Sequence, residues 1–194
     1  MFIAIYSFLL SRIEYLLAAI VAYFCGCFNG AILVSKLFFH DDVRTHGSGN
    51  AGLTNFYRTY GARYALMVIG CDMLKAVIAV CFAAWLGMRF DPRIMPDAAL
   101  TAAQQAEYVL HFKYWAGLFC VIGHMFPCTA KFKGGKGILC SGTLLLLLDW
   151  RIALVGWGAF VVLWAHRGNI KRLLNGTESK FHFHVNAPKP GEDE

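Results

Sequence analysis

Charged residues are scarce in this sequence. Asp, Glu, Lys and Arg make up 15% of its 194 residues, whereas hydrophobic residues make up 58%. A soluble domain of this composition would leave too much apolar surface in water. The apolar residues also occur in long runs instead of the short periodic patches of a soluble core, so the composition favours a protein embedded in a bilayer.

Three other patterns are lacking, and each absence excludes a class of protein. No CxxC pair occurs among the seven cysteines, so we interpret them as buried thiols and predict neither a disulfide framework nor a metal site. No small-residue cleavage site follows the apolar start, because Arg12 and Glu14 stand there, so we expect the first span to remain in the protein. No basic helix or aromatic RNA-binding motif accompanies the net charge of +6, so nucleic acid is not a predicted partner.

The long apolar runs predict an all-α, polytopic transmembrane helical bundle of about five spans. The first three run from about Tyr15 to Phe39, Ala62 to Leu86 and Tyr108 to Phe126. Between the second and third spans, residues 87–107 are predicted to form a polar loop with a short helix near 98–106. After a lysine-rich loop follow two shorter runs, Ile138 to Leu148 and Ile152 to Ala165, which we predict to be a helical hairpin and not one long helix.

The positive charges predict the orientation of the bundle. With five spans and the N-terminus outside, most lysines and arginines fall in cytoplasmic segments, as is typical of membrane proteins. The outer side holds only Arg12, Arg89, Arg93 and Arg151. We therefore expect a multi-pass protein of the bacterial plasma membrane, the cell inner membrane, with a membrane domain over residues 1–180. The tail over residues 181–194, with His182 and His184, is predicted to be disordered.

The loop after the first span contains a glycine-rich polar motif. Glycines let the backbone approach an anion closely, hydroxyl and amide side chains can donate hydrogen bonds, and an arginine can clamp a phosphate. The alternative is a polar turn between two helices, but the spacing of the whole motif is more specific than its first four residues alone. The residues predicted to bind phosphate here are Gly47, Ser48, Gly49, Asn50, Thr54, Asn55 and Arg58.

A second loop, after the third span, reads GHMFPCTAKFKGGKG from Gly123 to Gly137. Backbone N–H groups at Gly134, Gly135 and Gly137, joined by Lys136, are predicted to cradle a phosphate at the start of the next helix. The motif is not a Walker A loop, because a glycine stands where Ser or Thr would bind magnesium, so ATP is not implied. His124 is interpreted either as a general base or as a residue that orders this loop by hydrogen bonding, and we favour the second role.

A third polar segment, HRGNIKRLLNGTE from His166 to Glu178, follows the last apolar run. His166 and Asn169 share a face if the helix continues, so both can point toward the other two loops. The alternative is a basic helix end that snorkels to lipid phosphates. Three phosphate-capable segments on one side of the membrane favour a common site.

Together these segments resemble the bacterial acyl-phosphate:glycerol-3-phosphate acyltransferases, the PlsY family. The resemblance rests on GSGN-x-G-x-TN-x-x-R, GH-x-x-P with FKGGKG, and HR-x-NI-x-RLL-x-G-x-E, over roughly residues 20–180, and the pair Asp72 and Lys75 also recurs in that family. It implies transfer of an acyl chain from acyl phosphate to the 1-hydroxyl of glycerol 3-phosphate at the cytoplasmic face, without metal, coenzyme A or other cofactor. It also implies catalytic roles for Arg58, Lys136, His166 and Asn169.

The sequence departs from that family at one place. The family has about two further spans, with a serine-containing loop, before the HR-x-NI motif, whereas here Ala165 runs directly into His166. This leaves a noncatalytic relative that binds phosphate or lipid headgroups as an alternative to the acyltransferase. A small transporter is a second alternative, for which the intramembrane charges Asp72 and Lys75 are the only sign.

Overall fold

The computed structural model describes residues 13–89 and 101–177, and within these ranges it contains α-helices, two short 3-10 turns and no strand. The predicted tail over residues 181–194 and most of the segment between the second and third spans, including Pro92 and Pro96, lie outside the described residues. The all-α prediction is confirmed for the described part of the chain. Its helices are α1 (Ile13–Cys27), α2 (Gly30–Phe39), α3 (Leu53–Tyr60), α4 (Ala62–Arg89), α5 (Ala102–Met125), α6 (Ile138–Leu148), α7 (Trp150–Ala165) and α8 (Arg167–Leu174).

The first predicted span is a bent pair of helices. Helix α1 ends at Cys27, α2 begins at Gly30, and the two meet at an angle of 43°. Asn29 causes the restart, because its side-chain oxygen accepts a hydrogen bond from the Ile32 N–H at 3.1 Å and caps α2. The break places polar backbone groups inside the bundle.

Helices α4 and α5 are each long and apolar enough to cross a bilayer, and the bent pair α1–α2 is a third candidate by length and composition. Helix α4 therefore fits the predicted second span. The third begins earlier than predicted, at Ala102, behind a Thr101 and Gln104 capping box, so part of the expected short helix belongs to α5. Residues 138–165 form two helices separated by the extended Asp149, and each is shorter than α4. Their pairing as a hairpin stays a prediction. The count of five spans stays a prediction.

Small residues let α1, α4 and α5 pack closely. Ala18, Ala22, Ala76 and Ala116 are fully or almost fully buried between them. At the crossing of α1 and α5, Gly26 and Gly123 face each other, and a methyl group on either would collide with backbone atoms of the other helix. Such close approach is how helices associate where lipid removes the hydrophobic driving force.

A buried ion pair joins the break after α1 to α4. Lys75 Nζ lies 2.8 Å from Asp72 Oδ1 and donates to the Phe28 carbonyl oxygen at 3.0 Å, while Asp72 accepts from the Gly30 N–H at 3.1 Å. Both charged side chains are about as buried as the apolar core. The pair thus satisfies backbone groups exposed by the bend, which supports the structural interpretation of these charges over a transport pathway.

The chain divides into two compact units, with residues up to Ala153 in the first and residues from Leu154 onward in the second. The first contains α1 to α6 and the start of α7. The described part of the second contains the rest of α7 and the whole of α8, and Arg167 there donates to the Trp164 carbonyl at 2.7 Å and lies over its ring.

Candidate functional site

The GSGN loop is held in shape by one buried amide. Asn55 accepts a hydrogen bond from the Ser48 N–H at 3.0 Å and donates to the carbonyl oxygens of Val43 and His46, both at 3.0 Å. Gly47 and Gly49 adopt positive φ angles of 54° and 70°, which favour glycine. Since its amide is committed to the loop, we assign Asn55 a positioning role in place of the phosphate contact expected from the sequence.

The loop leads directly into an uncapped helix start. Helix α3 begins after Gly52, which provides no side-chain cap, and the first helical bond runs from the Phe56 N–H to the Gly52 carbonyl. The N–H groups before Phe56 are therefore open to an anion. Thr54 and Arg58 project from this short helix and are exposed, whereas Asn50 lies half-buried beside Gly52.

Helix α6 starts in the same manner after the FKGGKG loop. Its cap is Gly137, with φ of 77° and no side-chain cap, and its first bond runs from the Ser141 N–H to the Gly137 carbonyl. Lys136 immediately precedes it and is exposed. Within the described ranges neither Lys136 nor Arg58 has a hydrogen-bonding or ion-pair partner in the protein, so both cations are available to an anionic ligand.

Gly134 and Gly135 have a different role from the one the sequence suggested. Their N–H groups donate to the carbonyl oxygens of Met125 and His124, both at 3.1 Å, and so fold the loop back onto the end of α5. A side chain at Gly134 would collide with the His124 carbonyl oxygen. These two amides are engaged within the protein and do not point to a ligand. The groups that remain available to a phosphate at this loop are Lys136 and the N–H groups at the start of α6.

The two glycine-rich loops meet at Gly135 and Ala51. A Cβ on Gly135 would lie 2.7 Å from the Ala51 carbonyl oxygen, so the backbones can approach this closely only with glycine. Ala51 precedes the cap of α3, and Gly135 lies just before the cap of α6. The contact therefore joins the loops that lead into two uncapped helix starts, and a helix start of this kind is a suitable environment for a phosphate.

Arg44, which was not among the predicted site residues, connects the GSGN loop to the FKGGKG loop through hydrogen bonds. Its Nη1 donates to the carbonyl oxygens of Ala130 at 2.8 Å and Lys133 at 3.3 Å, and its guanidinium pairs with Asp42 at 2.6 Å. The hydrogen bond from Arg44 lowers the pKa of Asp42 to about 2. Because this pKa lies below the usual carboxyl value, the pair persists from neutral pH down into strong acid.

A second acid beside the loop is also satisfied. Asp41 accepts a hydrogen bond from the Tyr60 hydroxyl at 2.8 Å and lies 2.6 Å from His46 Nε2. The Tyr60 bond lowers the pKa of Asp41, while burial and the same carboxylate raise the pKa of Tyr60 to about 12. Both acids beside the GSGN loop are thus engaged by donors within the protein.

His166 and Asn169 lie in the second unit. His166 precedes α8 without a side-chain cap and separates it from α7, although the Ile170 N–H still donates to the His166 carbonyl at 2.9 Å. Asn169 accepts a hydrogen bond from Arg172 at 2.7 Å. Both side chains are exposed.

Comparison with known proteins identifies the family. The family model described as glycerol-3-phosphate acyltransferase matches residues 16–163, which is most of the chain. The chain belongs to the glycerol-3-phosphate acyltransferase family. A family member from Mycoplasmopsis agalactiae is 34% identical over 159 residues, which cover 82% of this chain and 61% of the relative.

The Bacillus subtilis glycerol-3-phosphate acyltransferase is 29% identical, with 84% of this chain and 96% of the relative covered. This alignment runs over 206 residues, more than the 194 of the whole chain, so the relative has residues with no counterpart here. The family match also ends at residue 163, just before His166. The additional residues of the relative agree with the prediction that this chain lacks a stretch of the family, and its position before the HR-x-NI motif stays a prediction.

A solved structure has the same fold. It is the crystal structure of PlsY (YgiH), an integral membrane glycerol 3-phosphate acyltransferase, in its glycerol 3-phosphate form, with a TM-score of 0.56 and 26% identity over 87% of this chain and 96% of that one. Together with the apolar helices, this similarity identifies the chain as a membrane protein. The family resemblance and the transmembrane all-α fold expected from the sequence are both confirmed.

Proposed function

We propose that this chain transfers a fatty acyl group from acyl phosphate to the 1-hydroxyl of glycerol 3-phosphate, giving lysophosphatidate for phospholipid biosynthesis. The observation that carries the proposal is the junction of Ala51 with Gly135, which joins the loops that lead into two uncapped helix starts. The exposed cations Arg58, on α3, and Lys136, just before α6, have no partner among the described residues. This arrangement offsets the charge of phosphate groups, and the family name supplies the reaction class.

The proposed reaction needs no covalent intermediate. The 1-hydroxyl oxygen of glycerol 3-phosphate forms a bond to the acyl carbon, the bond from that carbon to the phosphate oxygen breaks, and the hydroxyl proton leaves with inorganic phosphate. Acyl phosphate is already an activated mixed anhydride, so positioning and charge stabilisation are the main tasks of the protein. No metal or cofactor enters this scheme.

We assign the residues of this site as follows. Arg58 and Lys136 would hold phosphate groups through charge-assisted hydrogen bonds, supported by Ser48, Asn50 and Thr54 and by the backbone at Gly47, Gly49 and Gly137. The family resemblance also implies catalytic roles for His166 and Asn169, and these stay predictions from the sequence. Asn55, Gly134 and Gly135 instead maintain the loops that present these groups.

The proposed activity is tested with the purified chain in detergent micelles or proteoliposomes. We expect phosphate to be released from palmitoyl phosphate in an amount matched by lysophosphatidate, only when glycerol 3-phosphate is present. Glycerol should not replace glycerol 3-phosphate because it lacks the phosphate, and palmitoyl coenzyme A should not replace the donor. Absence of product at saturating substrates would refute the proposal.

A noncatalytic relative is the second candidate function. The observation that favours it is the stretch present in the Bacillus subtilis relative and without a counterpart in this chain. In that case glycerol 3-phosphate should still raise the unfolding temperature of the chain, because the ligand binds the folded state, while no phosphate is released. The same preparation therefore separates the two functions.

We further propose that the protein lies in the bacterial plasma membrane with its glycine-rich loops in the cytoplasm, as the distribution of Lys and Arg suggests. In a variant whose exposed Cys81 and Cys128 are serines, a new cysteine at Ser48 or Lys133 should react with an impermeant maleimide only after the cells are opened. A cysteine at Pro96 should react in intact cells. Reaction of Ser48→Cys in intact cells would show that the orientation is the opposite of the one proposed.

A further inference from the structure

The end of α5 carries a buried histidine that the proposed reaction does not use. His124 is 3% exposed, and its Nδ1 lies 2.6 Å from Lys75 Nζ. Asp72 Oδ1 lies 3.7 Å from the same nitrogen, beyond hydrogen-bonding distance, so Lys75 is the partner of His124. The three side chains thus form a chain of contacts from Asp72 through Lys75 to His124.

The donors of Lys75 determine where His124 carries its proton. A lysine ammonium has three N–H donors and no acceptor, so it can only donate to its neighbours. Four acceptors surround Lys75 Nζ: Asp72 Oδ1, the carbonyl oxygens of Phe28 at 3.0 Å and Gly26 at 3.4 Å, and His124 Nδ1 at 2.6 Å. Nδ1 must therefore accept, so it holds a lone pair and no proton. A neutral imidazole then carries its proton on Nε2.

The Nε2 side of the ring faces the junction of the two glycine-rich loops. A Cβ on Gly135 would collide with His124 Nε2 and lie 2.7 Å from the Ala51 carbonyl oxygen, so Gly135 fits between the imidazole and Ala51. The Gly135 N–H also donates to the His124 carbonyl oxygen at 3.1 Å. The imidazole is thus one wall of the gap in which the FKGGKG loop rests.

The opposite wall of the gap, Ala51, is hydrogen-bonded to the same break between α1 and α2 that Lys75 contacts. Asn29 donates to the Ala51 carbonyl oxygen at 2.9 Å and caps α2, while Lys75 binds the Phe28 carbonyl next to it. A shift of the His124 ring therefore changes the spacing between Ala51 and Gly135, on which the two helix starts depend. Among the described residues, Nε2 itself has no hydrogen-bond partner.

We propose that Lys75 holds His124 as the neutral imidazole with its proton on Nε2, and that His124 in this form is a positioning residue that sets the FKGGKG loop against the GSGN loop. A general base needs a free lone pair, whereas Nδ1 is occupied by Lys75 and Nε2 bears the proton. The inference about the proton is independent of the proposed function, and the inference about positioning in catalysis rests on it.

The proton position is tested by ¹⁵N NMR of the full chain labelled at histidine, in micelles near neutral pH. The signals of His124 are identified by their loss in His124→Asn. We expect Nδ1 to show the shift of an unprotonated ring nitrogen and Nε2 that of a protonated one. Lys75→Met should abolish this preference, while Lys75→Arg should keep it. A proton on Nδ1, or on both nitrogens, would overturn the first part of the proposal.

The positioning role is tested without activity by limited digestion with trypsin. Lys131, Lys133 and Lys136 lie in or next to the FKGGKG loop, so loss of the His124 contact should accelerate cleavage there in His124→Asn and Lys75→Met. Cleavage at Lys171 in the second unit should be unchanged. His111→Asn, an exposed histidine on the same helix, is the matched control and should digest like the parent. Unchanged loop cleavage in both variants would refute positioning.

Steady-state kinetics separate positioning from acid–base catalysis. For His124→Asn we expect the KM for glycerol 3-phosphate to rise about tenfold, as when one hydrogen bond to a charged phosphate is displaced, with kcat and its pH profile retained. Loss of a general base would instead lower kcat by about 10² to 10⁴ and remove one limb of that profile. That second pattern would overturn the proposal. Lack of activity in the parent chain would count against the proposed function and leave the NMR and digestion results to decide this inference.

Discussion

Gly123→Ala is expected to destabilise the protein strongly, because the crossing of α1 and α5 leaves no room for a methyl group at Gly123. The new Cβ would collide with the Tyr23 carbonyl oxygen and approach the Gly26 Cα to 3.1 Å. Both obstacles are backbone, so no side chain can rotate away and α1 and α5 must separate. Overpacking of a core costs about 1 to 3 kcal/mol, and we expect the upper end of that range or more. The measurement is the unfolding midpoint in micelles, together with the monodisperse fraction on size exclusion.

Gly70→Ala is the matched control. Gly70 lies within α4, and a Cβ there would have no neighbour within 4 Å, so the same chemical change should leave the midpoint unchanged or slightly raised. Gly26→Ala should behave like Gly123→Ala, because its Cβ would approach the Gly123 Cα to 2.9 Å. Once one methyl group has separated the helices, the second methyl group causes less additional strain. The double variant should therefore lose less stability than the sum of the losses in the two single variants. Equal midpoints for Gly123→Ala and Gly70→Ala would contradict the crossing described here.

Features that depend on local sequence were the most predictable. Helix α4 follows from a long apolar run, and the pair Asp72 and Lys75 follows from their separation of one helical turn, which places them on one face. The GSGN loop could also be recognised from its glycines, and Gly47 and Gly49 indeed adopt conformations that favour glycine. In each case the determining interactions lie within a few residues along the chain.

The bend in the first span was missed because nothing in its hydropathy marks it. The responsible signal is Asn29 followed by Gly30, a helix cap in the middle of an apolar run. A bilayer normally forbids open backbone groups at such a break, so the sequence favours a continuous helix. The break is tolerated because Lys75 and Asp72, more than forty residues away, bind the exposed carbonyl and N–H groups.

The two roles of glycine could not be separated from sequence. Gly134 and Gly135 were expected to offer amides to a phosphate, and the structure shows that they permit close contact with His124 and Ala51. Both roles select glycine in the same loop pattern. Likewise, the side chain of Arg44 was not predicted to join the loops, because its partners at Ala130 and Lys133 are distant in the chain.

Arg58→Ala and Lys136→Ala should cause the largest losses of the proposed activity. Both side chains are exposed and unpaired within the described part of the chain, beside the two helix starts, so neither removal should disturb the fold. A hydrogen bond to a charged group contributes about 1.5 to 3 kcal/mol, so each change should lower kcat/KM by roughly a hundredfold. Phosphate release from palmitoyl phosphate at limiting glycerol 3-phosphate measures this loss. Arg58→Lys should recover only part of it, because lysine cannot form a bidentate contact.

Arg63→Ala distinguishes direct contact from a general effect of charge. Arg63 is exposed near the start of α4, close in sequence to Arg58, and it lies over the ring of Tyr64. Arg63→Ala changes the net charge by the same amount as Arg58→Ala. If the activity depended only on the overall positive charge of the protein, both variants should therefore lose the same amount of activity. We expect Arg63→Ala to keep the parent kcat/KM, and all three variants to keep the parent unfolding midpoint. An equal loss of kcat/KM in Arg63→Ala would show that general electrostatic attraction, and not specific phosphate contacts, explains the effect. Full activity of both Arg58→Ala and Lys136→Ala would show that these residues do not belong to the site.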